Sequence, residues 1–170
     1  MINSIMWFRY DLRIKDNIAL FESSKSKNCI PLYILDEDFL KLETTSDFHQ
    51  TFINDSLFDL SQNLKCFDAH LNLFKGKTIE VLKFLISKYS IEYIFSNRIF
   101  KNKFFSNLDK DVSNLFELYN VEWKQYQQTG IQLNNRVRGT WSYEWKKFIN
   151  TSISDLPLKT NYLKIRECNF

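Results

Sequence analysis

Glycine and proline are scarce in this chain, at 3 and 2 of 170 residues. That argues against a sandwich of many short strands, which needs frequent tight turns. Cysteine is scarce too. Cys29, Cys66 and Cys168 share no metal spacing and form no C-x-x-C, and a sparse odd count suits a reducing compartment. The 2 histidines, His49 and His70, stand far apart with no carboxylate or cysteine at ligand spacing, so no metal centre is expected. No apolar run is long enough to span a bilayer, and the N-terminus lacks the pattern of a secretory signal. A cytoplasmic protein without membrane contact is the resulting expectation. Also missing are G-x-G-x-x-G, the P-loop and the G-x-S-x-G elbow, which disfavours a standard dinucleotide site, a P-loop NTPase or a serine hydrolase.

What is present is an aromatic-rich chain, with 16 Phe and 8 Tyr, of a length suited to one good core. Net charge is +3 and unevenly spread. Residues 1–135 carry 16 basic and 17 acidic side chains, against 7 and 3 in 136–170. A basic tail can touch nucleic acid, but this one is too dilute to form a phosphate-binding stripe and reads as a solvated connector.

Strand and helix signals alternate along the chain. Ile5-Met6-Trp7-Phe8 is a buried first strand. Asp16-Asn17 opens a helix carrying Ala19 and Leu20. Cys29 to Leu35 is the second strand, ending at Asp36-Glu37-Asp38, an acidic run expected as a solvated loop. Phe48, Phe52, Ile53, Leu57, Leu60 and Leu64 recur at helical spacing, with Ser46 or Asp47 as N-cap. His70 to Phe74 is a third strand, stopped at Gly76. Ile79, Leu82, Leu85, Ile86 and Tyr89 share one helix face. Ile91 to Phe95 is a fourth strand. Phe104, Leu108, Val112, Leu115, Phe116 and Tyr119 mark another helix. Val121 to Tyr126 alternates cleanly, as an edge strand does. Trp141, Trp145, Phe148 and Ile149 share a helix face, expected to pack in a core or at a domain contact.

This order predicts an α/β fold, a doubly wound Rossmann-like sheet of five parallel strands in the order 3-2-1-4-5. Ligands of such sheets bind beyond the carboxyl ends of strands, where the order reverses. The crevice should open where Phe8-Arg9-Tyr10-Asp11 and Phe95-Ser96-Asn97-Arg98 leave the sheet. Asp11 is the leading ligand candidate, because a carboxylate accepts from ring N–H or hydroxyl groups. Arg9, Asp11 and Arg13 equally suit an internal ion-pair network that fixes the loop. Asn97 is well placed by topology, or satisfies local backbone. His49 is either solvated or within reach of a ligand over the sheet.

The wording Trp7-Phe8-Arg9-x-Asp11-Leu12-Arg13-x-x-Asp16-Asn17-x-Ala19-Leu20 resembles the opening of the DNA photolyase/cryptochrome family. Tyr10 departs from it, standing where many members have a second basic residue. Leu32-Tyr33-Ile34-Leu35-Asp36 is similar to the family's second strand and its terminal acid. His49 with Phe52-Ile53-Asn54-Asp55-Ser56-Leu57 resembles the long helix of one bacterial branch. So does the run from Val121-Glu122-Trp123 through Gln128-Thr129-Gly130-Ile131 to Trp141 and Trp145. At Ser96-Asn97-Arg98-Ile99-Phe100 the likeness is weakest, since many relatives carry an acid just after the Asn.

The resemblance implies a photolyase-type α/β domain over 1–135, with 136–170 a connector toward an FAD-binding domain not contained in this sequence. It implies an antenna chromophore of folate, deazaflavin or flavin type, with Arg9, Asp11, Asp36, His49 and Asn97 as candidate contacts and no catalytic residue. FAD would be held only through the further domain, and DNA contacted only indirectly. The chain is expected to be truncated or one half of a split photolyase, to pair with an FAD-domain chain or self-associate, and not to repair DNA alone. Other expectations are a stand-alone nucleotide- or flavin-binding module with a regulatory or scaffolding role, and a decayed gene product that folds without acting.

Overall fold

The computed structural model describes residues 3–99, 103–130 and 138–165. Phe100, Ile131, Cys168 and Phe170, and the junction expected at 135/136, lie outside the described residues. Strands β1 (Asn3–Phe8), β2 (Asn28–Asp36), β3 (Asn72–Gly76), β4 (Ile91–Asn97) and β5 (Glu122–Tyr126) form the sheet. Their order is 3-2-1-4-5 and each neighbouring pair is parallel. Between them run helices α1 (Ile18–Ser23), α2 (Glu37–Leu40), α3 (Asp47–Leu64), α4 (Thr78–Tyr89) and α5 (Lys103–Leu118). Helix α6 (Arg138–Ile149) and a two-residue strand β6 (Asn161–Tyr162) follow.

The pleat of β1 sorts the core into two layers. Ile5 and Trp7 face one side and pack with Leu82 and Leu85 of α4 and Val112 and Phe116 of α5. Met6 and Phe8 face the other, against Ala19 and Leu20 of α1 and Leu57, Leu60 and Leu64 of α3. Both faces of the central strand are thus covered, as its unbroken apolar run requires. Because glycine is scarce, left-handed backbone positions fall to polar residues instead. Asp68, Ser90 and Asn120 take φ of 58°, 49° and 54°, the latter two just after α4 and α5.

Three sequence expectations are corrected and a fourth is narrowed. Phe48 and Phe52 do not join the core face of α3, being 88% and 73% exposed. The first turns of that helix stand over the strand ends, and burial in the sheet begins at Leu57. The acidic run after β2 is not an open loop: Asp36 caps α2, its carboxylate accepting from the backbone N–H of Asp38 and Phe39 at 2.9 and 3.0 Å. Of the two settings expected for the aromatic face of α6, a core of this chain is not the one found, with Trp141 and Trp145 at 49% and 41% exposed, and a domain contact stays open. Finally, the segment after α6 has a seat. Strand β6 pairs with β2 at Asn28 and Cys29, below β3. There Asn72 donates to the Leu163 carbonyl at 3.0 Å and accepts from the Ile165 N–H at 2.7 Å.

Candidate functional site

Beyond the carboxyl ends of β1 and β2 lies a cavity of about 350 Å³. Trp7 and Tyr33, projecting from β1 and β2, border it from within the sheet. Its outer wall is aromatic. Tyr10 meets Phe105 edge-on at 5.2 Å between ring centroids and Phe39 at 6.4 Å. Phe39 and Phe105 are themselves 5.6 Å apart. Phe52, Ile53 and His49 from the first turns of α3 close another side. The exposure of Phe52 is therefore explained by the cavity it helps form.

Arg9, Asp36 and His49 line the cavity, whereas Asp11 and Asn97 do not. Asp11 is buried and occupied. Its carboxylate accepts from Asn97 Nδ2 at 2.5 Å, Asn17 Nδ2 at 3.2 Å and the Arg9 N–H at 3.2 Å. Asn97 Nδ2 also reaches Asn17 Oδ1 at 2.7 Å, and Asn17 caps α1 through the Leu20 N–H at 3.1 Å. This knot of three polar side chains fills the space between β1 and β4 at the point where the strand order reverses. The cavity lies beside this knot, lined from the ends of β1 and β2, from Ile99 just after β4, and from Phe105 and Leu108 of α5. Asn97 Oδ1 has no hydrogen-bond partner among the described residues.

The loop's ion pairs are not those of the Arg9, Asp11 and Arg13 network. Arg9 donates through both terminal nitrogens to the Asp109 carboxylate of α5, a bidentate pairing suited to the guanidinium fork. Its guanidinium lies over the Trp7 ring at 4.5 Å and within 5.9 Å of Trp123, at cation–π distance. Arg13 pairs with Asp16 instead. Asp36 also accepts from Thr78 through its N–H at 2.9 Å and its hydroxyl at 2.6 Å, tying β2 to the start of α4. His49 Nδ1 accepts the Ser46 N–H at 3.2 Å at the start of α3. Arg9, Asp36 and His49 thus each hold structure while also facing the cavity.

Sequence reading missed Tyr33, Phe39, Thr78, Phe105 and Leu108 as cavity residues. Tyr33 and Phe105 sit in apolar patterns indistinguishable from core, so only the strand-end position of Tyr33 hinted at a site. Among the described residues no cluster of potential ligands could hold a metal ion, and no helix is long and apolar enough to cross a membrane.

The family model described as DNA photolyase matches residues 4–132. Cryptochrome-1 of Aedes aegypti is 30% identical over 97 residues, covering 53% of this chain and 18% of the relative. The (6-4)DNA photolyase of Arabidopsis thaliana is 25% identical over 148 residues, covering 81% of this chain and 24% of the relative. Among solved structures, a bacterial class III photolyase from Agrobacterium tumefaciens superposes with a TM-score of 0.80 at 20% identity, covering 100% of this chain and 37% of that one. An archaeal photolyase from Sulfolobus tokodaii, solved with two FAD molecules and described as implying a novel light-harvesting cofactor, gives 0.72 at 22% identity, covering 95% and 38%. The chain thus spans roughly a fifth of the curated relatives and under two fifths of the solved ones.

Proposed function

Because the chain belongs to the DNA photolyase family and forms its N-terminal α/β domain, we propose that it serves as an antenna domain in light-dependent DNA repair or blue-light sensing. In this reading the cavity holds a light-harvesting chromophore of folate, deazaflavin or flavin type. Excitation passes to a flavin held by a separate FAD domain, which alone carries the electron-transfer chemistry and most of the contact with DNA. The observation that supports it is an aromatic-walled cavity of about 350 Å³ at the strand ends of a family-matched sheet. That volume lies within the range of small-molecule sites. A planar pigment would bury its faces against Tyr10, Phe39 and Phe105, at about 25 cal/mol per Å² of apolar surface plus aromatic contact terms.

The reading is tested by reconstitution. The purified protein is incubated with a folate, a deazaflavin and a flavin pigment, desalted, and examined by absorption. Near-stoichiometric retention of one pigment is expected, together with no light-dependent loss of pyrimidine dimers from added DNA until an FAD domain is supplied. A folded protein that retains no pigment would reject the antenna role. Dimer repair by these 170 residues alone would place the flavin chemistry here.

A further inference from the structure

Helix α3 presents an outward row that neither the core nor the cavity uses up. Phe48, Phe52, Asp55 and Asp59 recur at i, i+4, i+7 and i+11, so they lie in one row along the helix. The row points away from Leu57, Leu60 and Leu64, which α3 buries, and all four of its side chains are exposed. Phe58 is exposed beside it. Phe48 and Phe58 belong to neither core layer and do not line the cavity. The row is aromatic at its start and acidic at its end. No Lys or Arg occurs on α3, and residues 37–64 hold 6 acidic side chains against 1 basic. Neither Asp55 nor Asp59 is in an ion pair among the described residues.

Helix α6 carries the complement. Trp141 and Trp145 stack on its surface, and Lys146 and Lys147 follow in its last turn, both exposed. Glu144, the acid on this helix, is half-buried. Each helix reads aromatic first and charged second, with opposite sign. From Phe52 to Asp59 is about 10 Å of helix and from Trp141 to Lys147 about 9 Å, at 1.5 Å per residue. Laid side by side in the same direction, the two helices bring Phe against Trp and Asp against Lys. Pairing α3 with α3 would set aspartates together, and α6 with α6 would set lysines together. Such like-charge contacts disfavour those pairings.

We propose that the outer face of α3 is one half of an interface between copies of this chain, and that its other half is the aromatic and basic face of α6 on the second copy. Buried aromatic surface supplies the affinity, and charge selects which faces meet.

The test uses the full 170-residue chain and reverses charge on each face. Asp55→Lys with Asp59→Lys reverses α3, and Lys146→Glu with Lys147→Glu reverses α6. All four positions are exposed, so both variants should keep the wild-type circular dichroism and Tm. In sedimentation velocity the wild type should rise at least to the mass of a dimer. Raising salt from about 50 to about 500 mM should weaken that association by screening the charges. Either variant alone should associate about tenfold or more weakly, because two attractive contacts become repulsive. An equimolar mixture of the two should regain wild-type association, since the reversed faces match each other and so do the unreversed ones. A reversed α3 that associates as the wild type does would overturn the inference. So would a mixture no stronger than its parts, or a wild type monomeric throughout.

Discussion

Single residues near the site can serve the fold alone, and Asp11 is one of them. Its carboxylate is held by three donors from three segments of chain, the β1 end, the α1 cap and the β4 end. Replacing it by alanine leaves buried amide groups unpaired, at about 1–3 kcal/mol each where they cannot relax. Asp11→Ala should therefore lower stability by about 2–4 kcal/mol in urea unfolding, while pigment affinity in the folded fraction changes little, because Asp11 does not line the cavity. Cys29 makes a different residue-scale case. Full burial pushes its thiol from 9.0 up to about 11, against the lowering effect of hydrogen bonds from Ser23, Ser4 and Met6. A thiol raised in the folded state stays protonated where the unfolded chain has already lost its proton. Its stabilising effect is complete below pH 9 and is lost as pH rises to about 11. The loss amounts to about 2–3 kcal/mol at most. Stability of the wild type should start to fall near pH 9, whereas Cys29→Ala should hold until near pH 10, where the buried Tyr33 and Tyr162 phenols begin their own loss. An identical alkaline limb in both proteins, measured by chemical unfolding across that range, would contradict this.

At the scale of elements, the strands were legible because a buried parallel strand is a short apolar run between charged ends, and β1, β2 and β4 each read that way. Strand β5 was legible for the opposite reason, its alternation marking a half-exposed edge. Helix α3 was found but its face was misassigned at Phe48 and Phe52. Spacing gives a period, and it does not say where along the helix the sheet stops and a cavity begins. Helix α2 and strand β6, with four and two residues, are too short to show any period. The site was half legible. Topology pointed to the strand ends, yet the Arg9–Asp109 pair joins residues 100 apart in sequence and leaves no local pattern. Helix α6 offers a test of how an element docks. A Cβ on Gly130 would stand 2.7 Å from Trp145 Cδ1 and 3.3 Å from its Cα, so the bare backbone is what lets α6 approach. Gly130→Ala should speed hydrogen exchange across Arg138–Ile149 and cost about 1–3 kcal/mol where the helix cannot shift aside. Gly139→Ala meets nothing within 4 Å and should slow the same exchange by strengthening the helix, by up to about 1 kcal/mol. Equal effects of the two substitutions would show that contact with Trp145 is not what seats the helix.

Over the whole molecule, both faces of the sheet are covered, yet an apolar surface on α6 stays bare. Trp141 and Trp145 stack at 6.2 Å with 15° between their planes. They are half-exposed, and Tyr143, Ile149, Ile153, Leu156 and Leu158 add further exposed apolar side chains on α6 and the segment after it. Exposed apolar groups are ordinary when scattered, but contiguous patches of several hundred Å² mark interaction surfaces or aggregation liabilities. The return of the chain to β2 through Tyr162 and Ile165 makes the contrast sharper. The end of this segment is anchored on the sheet, so the aromatic face of α6 is not simply a tail awaiting a core. Cover by an FAD domain, as the antenna reading requires, would bury it. Without that cover the protein should self-associate, and sedimentation velocity between about 1 and 50 µM, the concentration range in which exposed apolar surface drives assembly, should show weight-average mass rising with concentration. Trp141→Ser combined with Ile149→Ser should suppress the rise with little change in Tm, because neither side chain belongs to either core layer. Adding an FAD-domain chain to the wild type should suppress it as well, by competing for the same face. A wild type that stays monomeric throughout, with α6 amides exchanging as slowly as those of β1, would show that this face needs no partner and would favour a domain that works alone.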